Sequence, residues 1–189
     1  MAPRIALARA WKPRDAMDRD SIADLTLRRF EPSDSIRDLT QLLHRAYERL
    51  ALRGLRAIAV DQDESTTRRR AAQGECWIAI DDERIVGTIV VEPPSNLHGS
   101  PWYELPRVGS VHQFGVDPVI QGLGVGSRLL QVAEERAAAM GCEELALDTP
   151  ETADDLIAFY ARRGYRLVER AQWPETNYRS VILSKRLAP

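Results

Sequence analysis

The sequence predicts a mixed α+β domain, with about seven strands in one central sheet and about four flanking helices. Three observations predict it. Strand-like and helix-like periods follow one another without a regular βαβ repeat. Two apolar runs, residues 76–80 and 84–91, are separated by Asp81-Asp82-Glu83 and read as an antiparallel hairpin. Three glycines, Gly122, Gly124 and Gly126, stand between a strand-like and a helix-like segment.

Each element has its own signal. Residues 25–30 alternate apolar and polar in their first half, as a strand does. Pro32-Ser33-Asp34 supplies a turn and a helix cap. Ile36, Leu39, Leu43, Ala46, Tyr47 and Leu50 then recur at helical spacing, and Gly54 ends that helix. Residues 61–72 form a more polar helix, with acids early and arginines late. Its Arg68-Arg69-Arg70 run reads as a solvated face, and Gly74 closes it. Residues 92–107 break the pattern with Pro93, Pro94, Pro101 and Pro106. Trp102 and Tyr103 read as exposed there, suited to a flap facing a substrate. Residues 110–116 form the next strand, ended by Asp117-Pro118. Val125, Leu129, Val132, Ala133, Ala137 and Met140 share one face of a helix over 127–140, with Gly141 just beyond it. A short strand runs to Thr149-Pro150. Thr152-x-x-Asp155 predicts a capping box for a helix bearing Leu156, Ile157, Phe159 and Tyr160 and closed by Gly164. Residues 165–169 and 178–187 are the last strands, joined by a turn-rich stretch. The alternating final strand is suited to pairing across a homodimer. Residues 1–22 form an N-terminal extension, a short helix or a mobile tail, before a single domain over 23–189.

The 189 residues carry 26 basic and 28 acidic side chains, net −2, which excludes a general electrostatic case for nucleic acid. No apolar run reaches the length of a membrane span. The two cysteines, Cys76 and Cys142, lie far apart in apolar surroundings and predict buried thiols in a reducing, cytoplasmic setting. Three scattered histidines without ligand spacing predict no metal site.

The glycine cluster predicts a phosphate grip, because uncovered backbone N–H groups meet the positive end of a helix. Its spacing, Gly122-x-Gly124-x-Gly126, departs from the dinucleotide fingerprint. A nucleotide-triphosphate loop would need a lysine, whereas Gly126 precedes Ser127-Arg128. Val116-Asp117-Pro118, then Gln121-Gly122-Leu123-Gly124-Val125-Gly126, then Phe159-Tyr160-Ala161-Arg162-Arg163-Gly164-Tyr165 together resemble the two signatures of the GNAT superfamily of acyl-CoA-dependent N-acyltransferases. The resemblance covers roughly residues 25–187.

That resemblance implies a sheet splayed at its centre and acetyl-CoA as co-substrate. The backbone of Gln121, Gly122, Leu123, Gly124, Val125, Gly126 and Ser127 would cradle the pyrophosphate. Phe114, Gly115 and Val116 would hydrogen-bond the pantetheine, and an N–H there would polarise the thioester carbonyl. Tyr160 matches the family's general acid. His112 corresponds to a histidine that removes the amine proton in arylalkylamine-type members, and Glu104 is the alternative base. On strand alternation His112 shares a face with Ser110 and Phe114. His44 and Tyr47 of the first long helix, with Trp102, Tyr103 and Glu104, would line the acceptor side. One position departs: Ala153 stands where many members carry a cofactor-touching Asn, and Thr149 or Thr152 would have to substitute. The implied activity is direct acetyl transfer to the primary amine of a small molecule. The alternatives are a non-catalytic acyl-CoA-binding module and an enzyme acting on a protein or peptide amine.

Overall fold

The computed structural model describes residues 25–94 and 99–188; the extension expected over 1–22 lies outside the described residues. Its elements are β1 (Thr26–Arg29), α1 (Ile36–Leu52), α2 (Glu64–Ala71), β2 (Glu75–Asp81), β3 (Arg84–Glu92), β4 (Val108–Val116), α3 (Val125–Ala139), β5 (Glu144–Pro150), α4 (Asp154–Ala161), β6 (Arg166–Gln172) and β7 (Arg179–Arg186). The strands form one sheet in the order β1-β2-β3-β4-β5-β7-β6.

Local chemistry sets the helix ends. Ser35 caps α1 by accepting the Asp38 N–H at 3.2 Å. Asp63 caps α2 by accepting the Thr66 N–H at 2.7 Å, so this helix starts later than its composition suggested. Gly124, with φ +107°, is the cap of α3, so Val125 and Gly126 lie inside the helix and not before it. The capping box expected at α4 does not form. Ala153 occupies the cap position and has no side-chain acceptor to offer; its N–H donates back to the Pro150 carbonyl at 2.9 Å. Asp155 instead faces Arg49 and Arg53 of α1, at 3.3 and 3.6 Å.

Two apolar layers cover the two faces of the sheet. Ile36, Leu39 and Leu42 of α1 pack on Cys76, Ile78, Ile85 and Val90. On the other face, Val125, Leu129, Ala133 and Ala137 of α3 pack on Val86, Ile89, Val91, Val111, Leu145 and Leu147. The helix lies close: a Cβ on Gly87 would stand 2.8 Å from Leu129.

β4 and β5 pair in parallel at three positions, Val108–Glu144, Gly109–Leu145 and Ser110–Ala146, and then part. Each remains paired to its outer neighbour, β3 or β7. The result is a V-shaped gap in mid-sheet. β7 lies between β5 and β6, with both edges taken, so the final strand is not free to pair across a dimer.

A β-bulge lies beside this gap. Val90 pairs with His112 and Thr88 with Gly115, so Ile89 faces two residues, Gln113 and Phe114. Gln113 takes φ +48°. The extra residue resets the alternation. Val111 and Phe114 join the α3 layer, while a Cβ on Gly115 would meet Leu43, Ala46 and Tyr47 of α1. His112, opposite Val90, faces the α1 side. It therefore shares a face with Ser110 but not with Phe114, contrary to simple alternation.

Candidate active site

The donor side of the gap is built by the turn between β4 and α3. Gly122 and Gly124 have φ of +85° and +107°, conformations that L side chains rarely adopt. A Cβ on Gly124 would meet nothing within 4 Å, so the glycine serves the backbone path and not close packing. A Cβ on Gly126 would instead point at Phe114, Val116 and Phe159, at 3.5 to 3.8 Å, on the wall of the gap. The first turn of α3 leaves its N–H groups without helical partners at this opening. The Gln121 side chain turns back to donate to the Val116 carbonyl at 2.9 Å, bracing the loop against the strand. The Asp117 N–H is bonded to Val86 of β3 at 2.8 Å. Strand alternation then directs the backbone groups of Phe114 and Val116 toward the gap.

Two donor-side residues escaped the sequence reading. Asp117, fully buried, accepts from Arg45 at 3.0 Å and Arg84 at 2.8 Å and caps the turn at Val119. Arg163 donates to Ser127 Oγ and lies 3.6 Å over the Phe159 ring, which brings a guanidinium to the glycine turn. Ala153, at the position of the family's Asn, is fully buried and offers no polar group. Of its two proposed substitutes, Thr152 is exposed, whereas Thr149 is buried with no partner for its hydroxyl among the described residues.

Tyr160 lies on α4 with its ring 6.4 Å from Phe114 and 5.2 Å from Phe159. Burial pushes its phenol far above the usual range, and Tyr47 and Asp148 push the same way. His112 lies on the α1 face of β4, two residues beyond its last pairing with β5. Its Nε2 is 2.6 Å from Glu92 Oε1, and its Nδ1 has no partner among the described residues. Glu92 is buried at the end of β3, opposite Ser110, whose hydroxyl approaches the other carboxylate oxygen at 3.4 Å. With Nε2–H donating to Glu92, the Nδ1 lone pair is the acceptor. Glu104, the alternative base, is exposed in its loop; the carboxylate that meets His112 is Glu92.

Asp148 is a further addition. Ser110 pairs with Ala146, so His112 and Asp148 occupy matching positions two residues further, where the strands have parted. Asp148 is exposed, and Trp173 Nε1 donates to it at 2.9 Å. The surrounding protein raises its carboxyl above the ordinary range by desolvation.

The expected acceptor residues are placed unevenly. Tyr47 is half-buried within the electrostatic reach of Arg70 and Asp148. His44 donates from Nε2 to the Gln62 carbonyl at 2.8 Å, a bond that fixes the connection into α2. Trp102 and Tyr103 are not an exposed flap. Tyr103 is buried against Trp173, and Trp102 is half-buried beside it. Glu169 holds this turn down, accepting from Ser100 Oγ at 2.8 Å and the Trp102 N–H at 2.9 Å. Apolar rings before a short tight turn were drawn into the sheet face. The Arg68–Arg70 run also divides: Arg68 and Arg69 are exposed, while Arg70 is half-buried. Among the described residues no group of three or more His, Cys, Asp or Glu side chains is arranged to hold a metal ion. A surface concavity of about 450 Å³, lined by Cys142, Glu144 and Arg186 among others, lies at the paired end of β5, away from these residues.

A family model described as the acetyltransferase (GNAT) family matches residues 36–165. The chain belongs to that family. As a GNAT protein it is an acyltransferase that draws on acetyl-CoA. The *S*-(2-succino)cysteine N-acetyltransferase of Bacillus subtilis is 31% identical over 134 residues, covering 68% of this chain and 79% of that protein. An aminoalkylphosphonate N-acetyltransferase of Salmonella typhimurium is 33% identical over 89 residues, 47% of this chain and 54% of the relative. Among solved structures, PH1933 of Pyrococcus horikoshii superimposes with a TM-score of 0.69 at 20% identity, over 88% of this chain and all of that one. A GNAT acetyltransferase of Elizabethkingia anophelis with acetyl-CoA bound gives a TM-score of 0.62 at 15% identity, over 87% and 99%. These likenesses establish the splayed GNAT fold.

Proposed function

We propose that this GNAT protein transfers the acetyl group of acetyl-CoA directly to the primary amine of a small molecule, with His112 as base and Tyr160 as acid. The observation that carries this reading is the placement of the two groups. His112, held by Glu92, lies on β4 just beyond its last pairing with β5, and the Tyr160 ring of α4 packs on Phe114 of the same strand. The glycine turn, Arg163 and the Thr149 hydroxyl fit a phosphorylated thioester in the gap between β4 and β5.

A primary alkylamine has a pKa near 10.4, so exposing its lone pair at pH 7 costs about 4–5 kcal/mol. His112 Nδ1 takes that proton, directly or through one water. The amine nitrogen bonds to the thioester carbon, and an N–H from the Phe114–Val116 edge supports the oxyanion. As the C–S bond breaks, Tyr160 gives its proton to the leaving thiolate, and the second proton of the attacking nitrogen, shed as the amide forms, returns to the phenolate through water. Cys76 and Cys142 are buried and take no part; burial pushes the Cys76 thiol up to about 11. Two buried free thiols also suit a reducing compartment, and no described helix is long and apolar enough to cross a membrane. The relatives named for succinocysteine and aminoalkylphosphonate act on small amines, which supports a small acceptor here.

The test is initial-rate thiol release with acetyl-CoA and an amine panel both varied. Intersecting lines and no acetylated protein after acid quench are expected. Parallel lines with an acetyl-enzyme, or no release with any amine, would overturn the reading.

A further inference from the structure

Resting on that acceptor reading, we propose that Arg70 anchors an anionic group of the acceptor, so that the substrate is an amine bearing a nearby carboxylate or phosphonate.

Arg70 is the last arginine of α2, half-buried, on the sheet face shared by His112 and Glu92. Several half-buried arginines elsewhere have carboxylates at hand: Arg28 meets Asp34, Arg45 and Arg84 meet Asp117, and Arg136 meets Glu75, whereas Arg163 bonds to the Phe159 carbonyl and the Ser127 hydroxyl. Among the described residues Arg70 has no such ion pair. Its hydrogen bond goes to a neutral group, Gln62 Oε1, at 2.8 Å. A guanidinium taken partly out of water without a carboxylate is costly unless an anion arrives. Desolvation does lower its affinity for the proton, while Tyr47, Asp148 and Glu92 lie within electrostatic reach.

The mount of Arg70 is rigid and polar. Gln62, Thr67 and Gln113 are all buried. Gln62 Nε2 donates to Thr67 Oγ1 at 2.7 Å and to Gln113 Oε1 at 3.3 Å, and Gln113 Nε2 donates to the Thr67 carbonyl at 3.4 Å. Gln113 is the bulge residue next to His112. One buried network thus ties the Arg70 guanidinium to the strand position that presents the base. The remaining N–H donors of the fork suit two oxygens of a carboxylate or phosphonate. The Asp148 carboxyl stands within electrostatic reach of Arg70, level with His112 on the neighbouring strand, where it suits an acceptor's ammonium. An acceptor with both signs of charge fits this pairing; a simple alkylamine leaves Arg70 unmatched.

The experiment compares acceptor pairs differing only in the anion: *S*-carboxymethylcysteine with its dimethyl ester, and 2-aminoethylphosphonate with its diethyl ester. The readout is the ratio of kcat/KM for acid over ester, from thiol release, which is insensitive to any fraction of misfolded variant. The wild type should favour the acids. Arg70→Ala should lower the ratio about 10- to 100-fold, the worth of a charge-assisted hydrogen bond, and Arg70→Lys should restore part of it. Equal ratios in wild type, Arg70→Ala and Arg70→Lys would overturn the proposal. Calorimetric binding of the same four compounds to the protein with coenzyme A reads the contact even without turnover. Acid-selective binding that Arg70→Ala removes, with no thiol release, would overturn the acetyl-transfer reading and leave the anion site standing; equal binding of acids and esters would overturn the anion site.

Discussion

Glu92 is a buried carboxylate whose partners are His112 and Ser110. Its contact with Nε2 holds the imidazole, so in the proposed mechanism Glu92 positions the base and does not itself reach the amine. Glu92→Gln should lower kcat about 10- to 100-fold through loss of that hold, with the KM for acetyl-CoA unchanged; an unaltered kcat would remove the role. His112→Ala should lose most activity at low pH, where deprotonating the amine is hardest, and a pH–rate profile parallel to the wild type would contradict the assignment. Of the proposed acid and base, Tyr160 was pointed to by its signature and His112 by its place on the strand before the glycine cluster. Glu92 and Asp148 were not legible. Glu92 opens a proline-rich stretch and reads as loop, although it continues the alternation of β3. Asp148 reads as a strand-end acid until the registers of β4 and β5 place it level with His112. Arg70 was hidden in a run of three like charges.

The proposed donor site rests on the β4-to-α3 turn. Gly124 has open space where a Cβ would go, but its φ of +107° disfavours any L side chain. Gly124→Ala should therefore destabilise by about 1–2 kcal/mol without a clash and raise the KM for acetyl-CoA severalfold. Thermal melting and steady-state kinetics check both, and an unchanged melting temperature would contradict the conformational argument. The elements themselves were readable from period and punctuation: the hairpin at Asp82, the helix stops at Gly54, Gly141 and Gly164, and the cluster at Gly122–Gly126. What escaped was a single extra residue. The bulge at Gln113 has no marker in the sequence, since a glutamine at φ +48° looks like any strand residue. It turns Phe114 to the α3 layer and leaves His112 on the other face. The Trp102–Tyr103 turn was misjudged because aromatic side chains beside prolines read as exposed, while burial against Trp173 and the sheet is the more favourable end for them.

Across the whole molecule, two apolar layers hold a sheet that is closed at one end and open at the other. Charged clamps tie the layers together. Glu75 of β2 receives Arg136 of α3 at 2.8 Å, and that bond chiefly holds its carboxyl below the usual range against a desolvation cost. A depressed carboxyl contributes stability above its unfolded value and loses it as pH falls through the folded one. Glu75→Gln should cost about 1 kcal/mol at pH 7, given that Arg136 is partly solvated. The gap from wild type should close below about pH 4, as melting temperatures across pH would record; a gap that persisted at pH 3 would count against the clamp. The mixed order of elements and the two signatures made the overall architecture legible before any coordinates. The acceptor half was not, because it is assembled from α2, β3, β4 and β5, segments distant in sequence that the splay brings level.

The account turns on Tyr160 acting on a thioester lodged in that splay. The direct measurement is kcat for acetyl transfer by Tyr160→Phe alongside its calorimetric affinity for acetyl-CoA. The account predicts a large fall in kcat with affinity kept. Turnover equal to the wild type would contradict it.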